Sequence, residues 1–335
     1  MERTNSVDFF RLFAAFAVVS LHVYIGTVPL EVTIYLRLLA RYAVPFFFLI
    51  SGYFFYFSVN RNGGEALLKN LHKLIGIYVV TWCIYLPKCI LKDKFVFDYP
   101  LLFTGTDGHL WFLTSLVFGL IFCWYFKNLV KKKILLIFLI LVFLTPCLIF
   151  HYLNAFGISN SIGETFSRFV LSVPFLLMGM TIAHYRLKLG KISASLVIIL
   201  SLALLFVEVY IFNRENYGNL WRIEFLLNTI PLSIGIFFLS FNFSVNDQLA
   251  SYGRTYALGI YLYHQLFNTL TYNLILYLFP GFSEHIFLFN PVICFFSTLG
   301  ILMFIKRFLP ELFRILNGDL IFLNNKNSIP FFTGK

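Results

Sequence analysis

Charge is scarce in this sequence. Only 12% of its 335 residues are Asp, Glu, Lys or Arg, and just 15 are acidic. With 59% hydrophobic residues and a mean hydropathy of +0.83, that scarcity excludes a water-soluble chain. Cysteine is sparse as well: Cys83, Cys89, Cys123, Cys147 and Cys294 are odd in number, lie in or beside apolar segments and form no C-x-x-C pair. They read as small core hydrophobes rather than disulfides or ligands. No H-E-x-x-H or paired H-x-x-x-H offers a metal site, and Walker A, Rossmann-type GxGxxG and G-x-S-x-G patterns are missing. A membrane-buried zinc or serine hydrolase is therefore not expected. Gly/Ser linkers and low-complexity tracts are absent too, so one domain is expected over residues 1–335.

What the chain has is apolar runs. A membrane-spanning helix needs about 20 mostly apolar residues, and runs of that kind lie near 8–27, 34–57, 71–91, 108–127, 134–151, 165–183, 192–212, 223–243, 255–278 and 287–309. The runs are continuous rather than alternating, which excludes a closed β-barrel. The expected fold is all-α, a polytopic membrane bundle of about ten transmembrane helices. The first run contains Arg11 and His22 and lacks a small-residue cleavage site, so it reads as an uncleaved helix rather than a signal peptide. The formal charge of +11 resides in short loops, most visibly the triple lysine at 131–133. Placing both termini in the cytoplasm puts most of the Lys and Arg inside, as the positive-inside rule requires; Lys88, Lys92 and Lys94 are the outer-side exception. A basic membrane surface, not nucleic acid, accounts for the charge. No convincing repeat relates the two halves.

An ionisable side chain at bilayer depth is costly and usually faces a cavity or a partner. Arg11 and His22 are eleven residues apart, close to three helical turns, so both fall on one face about 16 Å apart along the axis. Asp8 shares that face and can pair with Arg11. Arg37 and Arg41 fall in the outer part of the second span, Arg41 at roughly the depth of His22, and Pro45 can kink the helix below them. His109 and Trp111 open the fourth span, where they read equally as interfacial anchors. Tyr261 and His264 fall near mid-membrane in the ninth, where His264 could simply be a packing hydrogen bonder. Arg11 could be a snorkelling residue. His72, His184 and His285 read as solvated, and His151 ends a span. Glu164, Glu208 and Glu224 fall toward the outer side, with nothing to select one of them.

Four segments, in order, give a resemblance. Residues 8–22 read D-x-x-R followed by a histidine, 41–53 read RYAVPFFFLISGY, 109–113 read HLWFL and 251–264 read SYGRTYALGIYLYH. Together they resemble acyltransferase family 3, integral membrane enzymes that acylate surface glycans; Tyr256 and Ala257 depart modestly from the last pattern. The resemblance implies a standalone O-acyltransferase of the bacterial cytoplasmic (inner) membrane. Its implied donor is cytoplasmic acyl-CoA, usually acetyl-CoA, and its implied acceptor a hydroxyl of a cell-surface glycan or lipid-linked sugar. No permanently bound cofactor or metal and no nucleic-acid partner is expected.

The corresponding site assignment makes Arg11, with Lys69 and Lys73, the holder of the CoA phosphates. His22, as the neutral imidazole, is a general base or an acyl-carrying nucleophile. Arg41 is a candidate for oxyanion stabilisation. His264 and Tyr261 shape the catalytic cavity, and Trp111 and Arg37 contact the acceptor. The competing class is a transporter or flippase for a glycolipid or polysaccharide intermediate, in which the buried Arg and His form a path. The register of Arg11 with His22 and the inner basic cluster favour an enzyme with a nucleotide-bearing donor.

Overall fold

The computed structural model describes residues 4–23, 30–91, 99–156, 158, 161–214, 225–281 and 283–319. Among these, all regular secondary structure is helical. Among the described residues six helical stretches are long and apolar enough to cross a membrane: Thr33–Asn62, Gly64–Leu91, Lys133–Leu153, Ile162–Tyr185, Lys191–Phe212 and Asn290–Phe308. Trp111–Tyr125 and Thr229–Leu239 are shorter apolar helices. The fold is thus all-α, a polytopic membrane bundle.

In chain order the helices are α1 (Asn5–His22), α2 (Leu30–Ala40), α3 (Ala43–Asn62), α4 (Gly64–Leu91), α5 (Tyr99–Thr104), α6 (Trp111–Tyr125), α7 (Lys133–Ala155), α8 (Ser161–Val170), α9 (Ser172–Tyr185), α10 (Lys191–Arg214), α11 (Thr229–Leu239), α12 (Asp247–Leu278), α13 (Ser283–Phe287), α14 (Asn290–Phe308) and α15 (Pro310–Leu316). A 3₁₀ turn, Lys127–Lys131, joins α6 to α7. The outer faces of α7 and α10 expose Phe138, Leu141, Ile199 and Leu200. Hydrocarbon, not water, is the solvent such faces suit.

Two packing units position the site. In the first, α1 lies along α12. In the second, α3 crosses α9, and both of these helices start abruptly after a break. Pro45 has no N–H to give the carbonyl of residue 41, and its ring clashes there; the chain accordingly leaves the helix at Arg41 and Tyr42 and restarts as α3. Pro174 does the same four residues after Val170, separating α8 from α9. A kink was the expectation at Pro45, and the structure interrupts the helix there at Arg41 and Tyr42, with Tyr42 keeping helical dihedrals inside the single apolar stretch Thr33–Asn62. The tripeptide Val-Pro-Phe occurs at both places, 44–46 and 173–175.

Below the breaks the two helices touch backbone to backbone. A β-carbon on Gly52 would collide with the carbonyl oxygen of Leu176, and one on Gly179 with that of Leu49. Small residues at a crossing allow this approach, which substitutes for the hydrophobic driving force that lipid removes. Of the cysteines, Cys89, Cys123, Cys147 and Cys294 are buried and all five are free; Cys83 is exposed on α4.

Candidate functional site

Helix α1 carries polar side chains into two separate cavities. The inner one, about 420 Å³, is lined by Arg11, Asn70, Lys73 and Arg254 at its polar end and by Phe47, Phe54, Phe112 and Leu116 further in. Asp8 aims its two arginines. One carboxylate oxygen takes the Arg11 guanidinium at 2.8 Å, and the other lies 3.7 Å from Arg254 on α12. Arg254 also pairs with Asp247 at 2.8 Å. Gly253 makes the approach possible, since a β-carbon there would collide with the Asp8 carbonyl. The mouth of the cavity holds three cations against the single buried carboxylate of Asp8. Such a mouth suits a polyanion. Lys69, grouped by sequence with Arg11 and Lys73, is exposed and does not line this cavity. Arg254, which the site assignment from sequence leaves out, does.

The outer cavity is small, about 50 Å³, and is framed by the two proline breaks. Arg41, Val44 and Pro45 come from one and Arg168 and Leu171 from the other. His22, His109, Trp111, His151 and Tyr261 complete most of the wall. Arg41 therefore shares a cavity with His22, as expected, and Trp111 and Tyr261 join them. Arg37 lies within electrostatic reach of the His22 ring. His22 is half-buried, and among the described residues its ring nitrogens make no hydrogen bond; only its backbone carbonyl does, accepting from the Asn268 amide at 3.4 Å. Its nitrogens are available to a substrate.

Three imidazoles meet here. The ring of His22 lies 5.4 Å from that of His264 and 6.3 Å from that of His109, and the last two are 5.3 Å apart. His264 is fully buried. Its Nδ1 donates to the Tyr261 carbonyl at 2.7 Å, which leaves Nε2 as a buried lone pair with no partner among the described residues. His109 is held at both nitrogens, Nδ1 at 3.0 Å from the Asp107 carboxylate and Nε2 at 2.9 Å from the Leu262 carbonyl. The Tyr261 hydroxyl donates back to the His109 carbonyl at 2.8 Å, so the residues around 109 are tied to the middle of α12 in both directions. Lys88 completes the line with a 2.7 Å ion pair to Asp107. Burial alone would raise the Asp107 carboxyl, but His109 and Lys88 hold it well below the usual carboxylate range. Among the described residues no group of three ligating side chains is arranged for a metal ion.

Asp107 is the carboxylate that sequence reasoning missed. Glu164 is paired with Arg168 at 2.6 Å. Glu208 accepts from the Tyr152 hydroxyl and from the Leu227 and Asn228 amides. Glu224 lies outside the described residues, as do Lys92 and Lys94. His151 is buried against the outer cavity rather than merely ending a span, and His184 is half-buried and bonded to Tyr56. The i, i+2 pairing in Asp107-Gly-His109 was the signal available in the sequence.

A wall of aromatic rings separates the cavities. Phe112 lies 4.9 Å from Tyr261 and 6.1 Å from Phe47, with Phe48 stacked on it at 4.8 Å. Phe47 and Phe112 face the inner cavity, and Tyr261 faces the outer one.

Fold and site together define a polytopic helical membrane protein with a cationic cavity and a histidine cavity strung along one helix. The chain belongs to acyltransferase family 3: the family model, described as an acyltransferase domain, matches residues 4–306. It is an acyltransferase by family. Among curated proteins, an amino-acid racemase of Enterococcus faecalis is 33% identical over 134 residues, 36% of this chain and 19% of that protein. A second amino-acid racemase of the same organism is 34% identical over 144 residues, 39% of this chain and 19% of the relative. A serine/alanine racemase of Enterococcus gallinarum is 28% identical over 135 residues, 35% of this chain and again 19% of the relative. The matched stretch thus spans about a fifth of each relative's length. No solved structure matches.

Proposed function

We propose that the chain is a membrane O-acyltransferase that moves an acetyl or other short acyl group from cytoplasmic acyl-CoA to a hydroxyl of a cell-surface glycan or lipid-linked sugar. It would do so as a single domain crossing a bacterial cytoplasmic membrane ten times, with both termini inside. The observation that carries this reading is that one helix, α1, places Arg11 in the large cationic cavity and His22 in the small histidine-lined one.

In this reading the CoA phosphates lie at the inner mouth on Arg11, Arg254 and Lys73, and the pantetheine arm runs up the apolar part of the cavity to the ring wall. The thioester reaches the outer cavity past Phe47, Phe112 and Tyr261. His22 takes the proton of the acceptor hydroxyl as its oxygen attacks the thioester carbonyl carbon. The C–O bond forms, negative charge on the carbonyl oxygen is stabilised by Arg41, and the C–S bond breaks. The proton held on His22 then passes to the departing thiolate, so the ester and the free CoA thiol leave with the imidazole neutral. Asp107, through His109, and His264 fix the surroundings of His22 in a space small enough to exclude bulk water. Trp111 and Arg37 would bind the sugar on the outer side. In the covalent variant His22 takes the acyl group first.

The racemase names of the partial relatives do not alter this reading, because the matched stretch is only 19% of each. The test is acyl transfer by the purified chain in vesicles, given labelled acetyl-CoA on the cytoplasmic side and a surface-glycan acceptor on the other. Labelled glycan is the expected product. A protein that binds acetyl-CoA but labels no acceptor, or one that moves glycolipid without binding acetyl-CoA, overturns it. Labelled protein in the absence of acceptor selects the covalent variant.

A further inference from the structure

A third recess lies at the same end of the bundle as Arg11 but across α3 from the donor cavity. It encloses about 240 Å³ between α3, α9 and the 3₁₀ turn, and is lined by Tyr56, Asn60, Lys127, Asn128, Lys131 and His184 among others. Helix α3 separates the two spaces. Phe47, Ser51, Phe54 and Ser58 face the donor cavity, whereas Tyr56, Val59 and Asn60 face the recess from the opposite side of the helix.

Several features give this recess a polarity. The Tyr56 hydroxyl and His184 Nδ1 meet at 2.8 Å at its back. The Tyr185 hydroxyl donates to the Val130 carbonyl at 3.2 Å and anchors the turn to the end of α9. Among the described residues no carboxylate pairs with Lys127 or Lys131, although both residues line the recess. The surroundings are those of a membrane interface. Lys127 sits 3.5 Å above the Trp124 ring and Lys133 5.1 Å from the Tyr185 ring. Trp and Tyr concentrate at headgroup depth, where lysines reach anionic lipid. From Lys133 onward, α7 exposes Ile134, Ile137, Phe138 and Leu141, an apolar track leading away from the recess into the hydrocarbon.

We propose that this recess holds the phosphate of an anionic phospholipid, with Lys127 and Lys131 on the phosphate oxygens, the Asn60 and Asn128 side chains on the headgroup, and the acyl chains along α7. The shared chemistry is a phosphate anion, which a free ion could also supply; the apolar track on α7 favours the lipid. Binding here stands apart from acyl transfer and is read without it.

The experiment is native mass spectrometry of the full chain in detergent micelles, offered phosphatidylglycerol, zwitterionic phosphatidylcholine and inorganic phosphate. The expected result is retention of phosphatidylglycerol over phosphatidylcholine, weakened roughly ten- to thirtyfold in Lys127→Gln/Lys131→Gln, as two interfacial lysines imply. The charge-matched control Lys306→Gln/Arg307→Gln, on α14, should retain the lipid as the parent chain does. Equal retention by the recess variant, an equal loss in the control, or displacement of the lipid by excess inorganic phosphate each overturns the proposal. The single variants Lys127→Gln and Lys131→Gln, each expected to weaken retention about fivefold with an unchanged melting transition, separate lost binding from lost folding.

Discussion

The two cavities along α1 differ in size and in the way their polar groups are held. The inner one has about 420 Å³ and long Arg and Lys side chains, of which Asp8 steers Arg11 and Arg254. The outer one has about 50 Å³, and two of the three clustered imidazoles are fixed by hydrogen bonds to backbone or carboxylate. Adaptable cations in a roomy mouth suit binding of a large anion, where a small displacement costs little. Two fixed imidazoles packed around the hydrogen-bond-free ring of His22 in a tight space suit bond making, where the reacting group must be both available and held in place.

That division is open to attack from both sides. His22→Ala should slow the chemical step, with kcat down roughly 10² to 10⁴-fold while acetyl-CoA binding by calorimetry stays as it was; equal loss of binding would erase the distinction between the cavities. Arg11→Ala or Arg254→Ala should do the reverse, raising the KM for acetyl-CoA roughly ten- to a hundredfold, the worth of a charge-assisted contact, with kcat nearly unchanged. Asp107→Asn removes the charge that fixes His109. A fall in kcat of about tenfold without a change in donor KM is expected, and a change confined to KM would move Asp107 to the binding side. Smallest is Phe112→Ala, which thins the ring wall. It should raise acceptor-independent hydrolysis of acetyl-CoA a few-fold, since a dry site guards its acyl group from water, and unaltered hydrolysis would show that the wall does not seal the cavities from each other.

The relation of Arg11 to His22 was legible because both lie in one uninterrupted helix, where 3.6 residues per turn fixes register. Arg41 near His22 was legible from depth alone. The breaks at Arg41 and Val170 were written in Pro45 and Pro174, but a run of apolar residues hides where a helix stops and restarts. What could not be read was contact between distant segments. The Leu262 carbonyl that holds His109 is 153 positions away, and Asp8 and Arg254 come from opposite ends of the matched region. Lys69 illustrates the converse: it lies one turn from Lys73 on α4, yet only Lys73 reaches the cavity. The two-cavity arrangement depends on rings from α3, α6 and α12 closing on each other, which no local pattern encodes.

The pairing of α1 with α12 also sets an order of assembly. Of these helices α1 is made before the others, but its principal neighbour begins at Asp247, after α2 through α11 have been made. Until then Asp8 has no Arg254, and Arg11 and His22 stand on a helix whose main packing face is vacant. Both halves of the site are therefore completed late and together, so a nascent chain has neither donor mouth nor histidine cluster until α12 arrives.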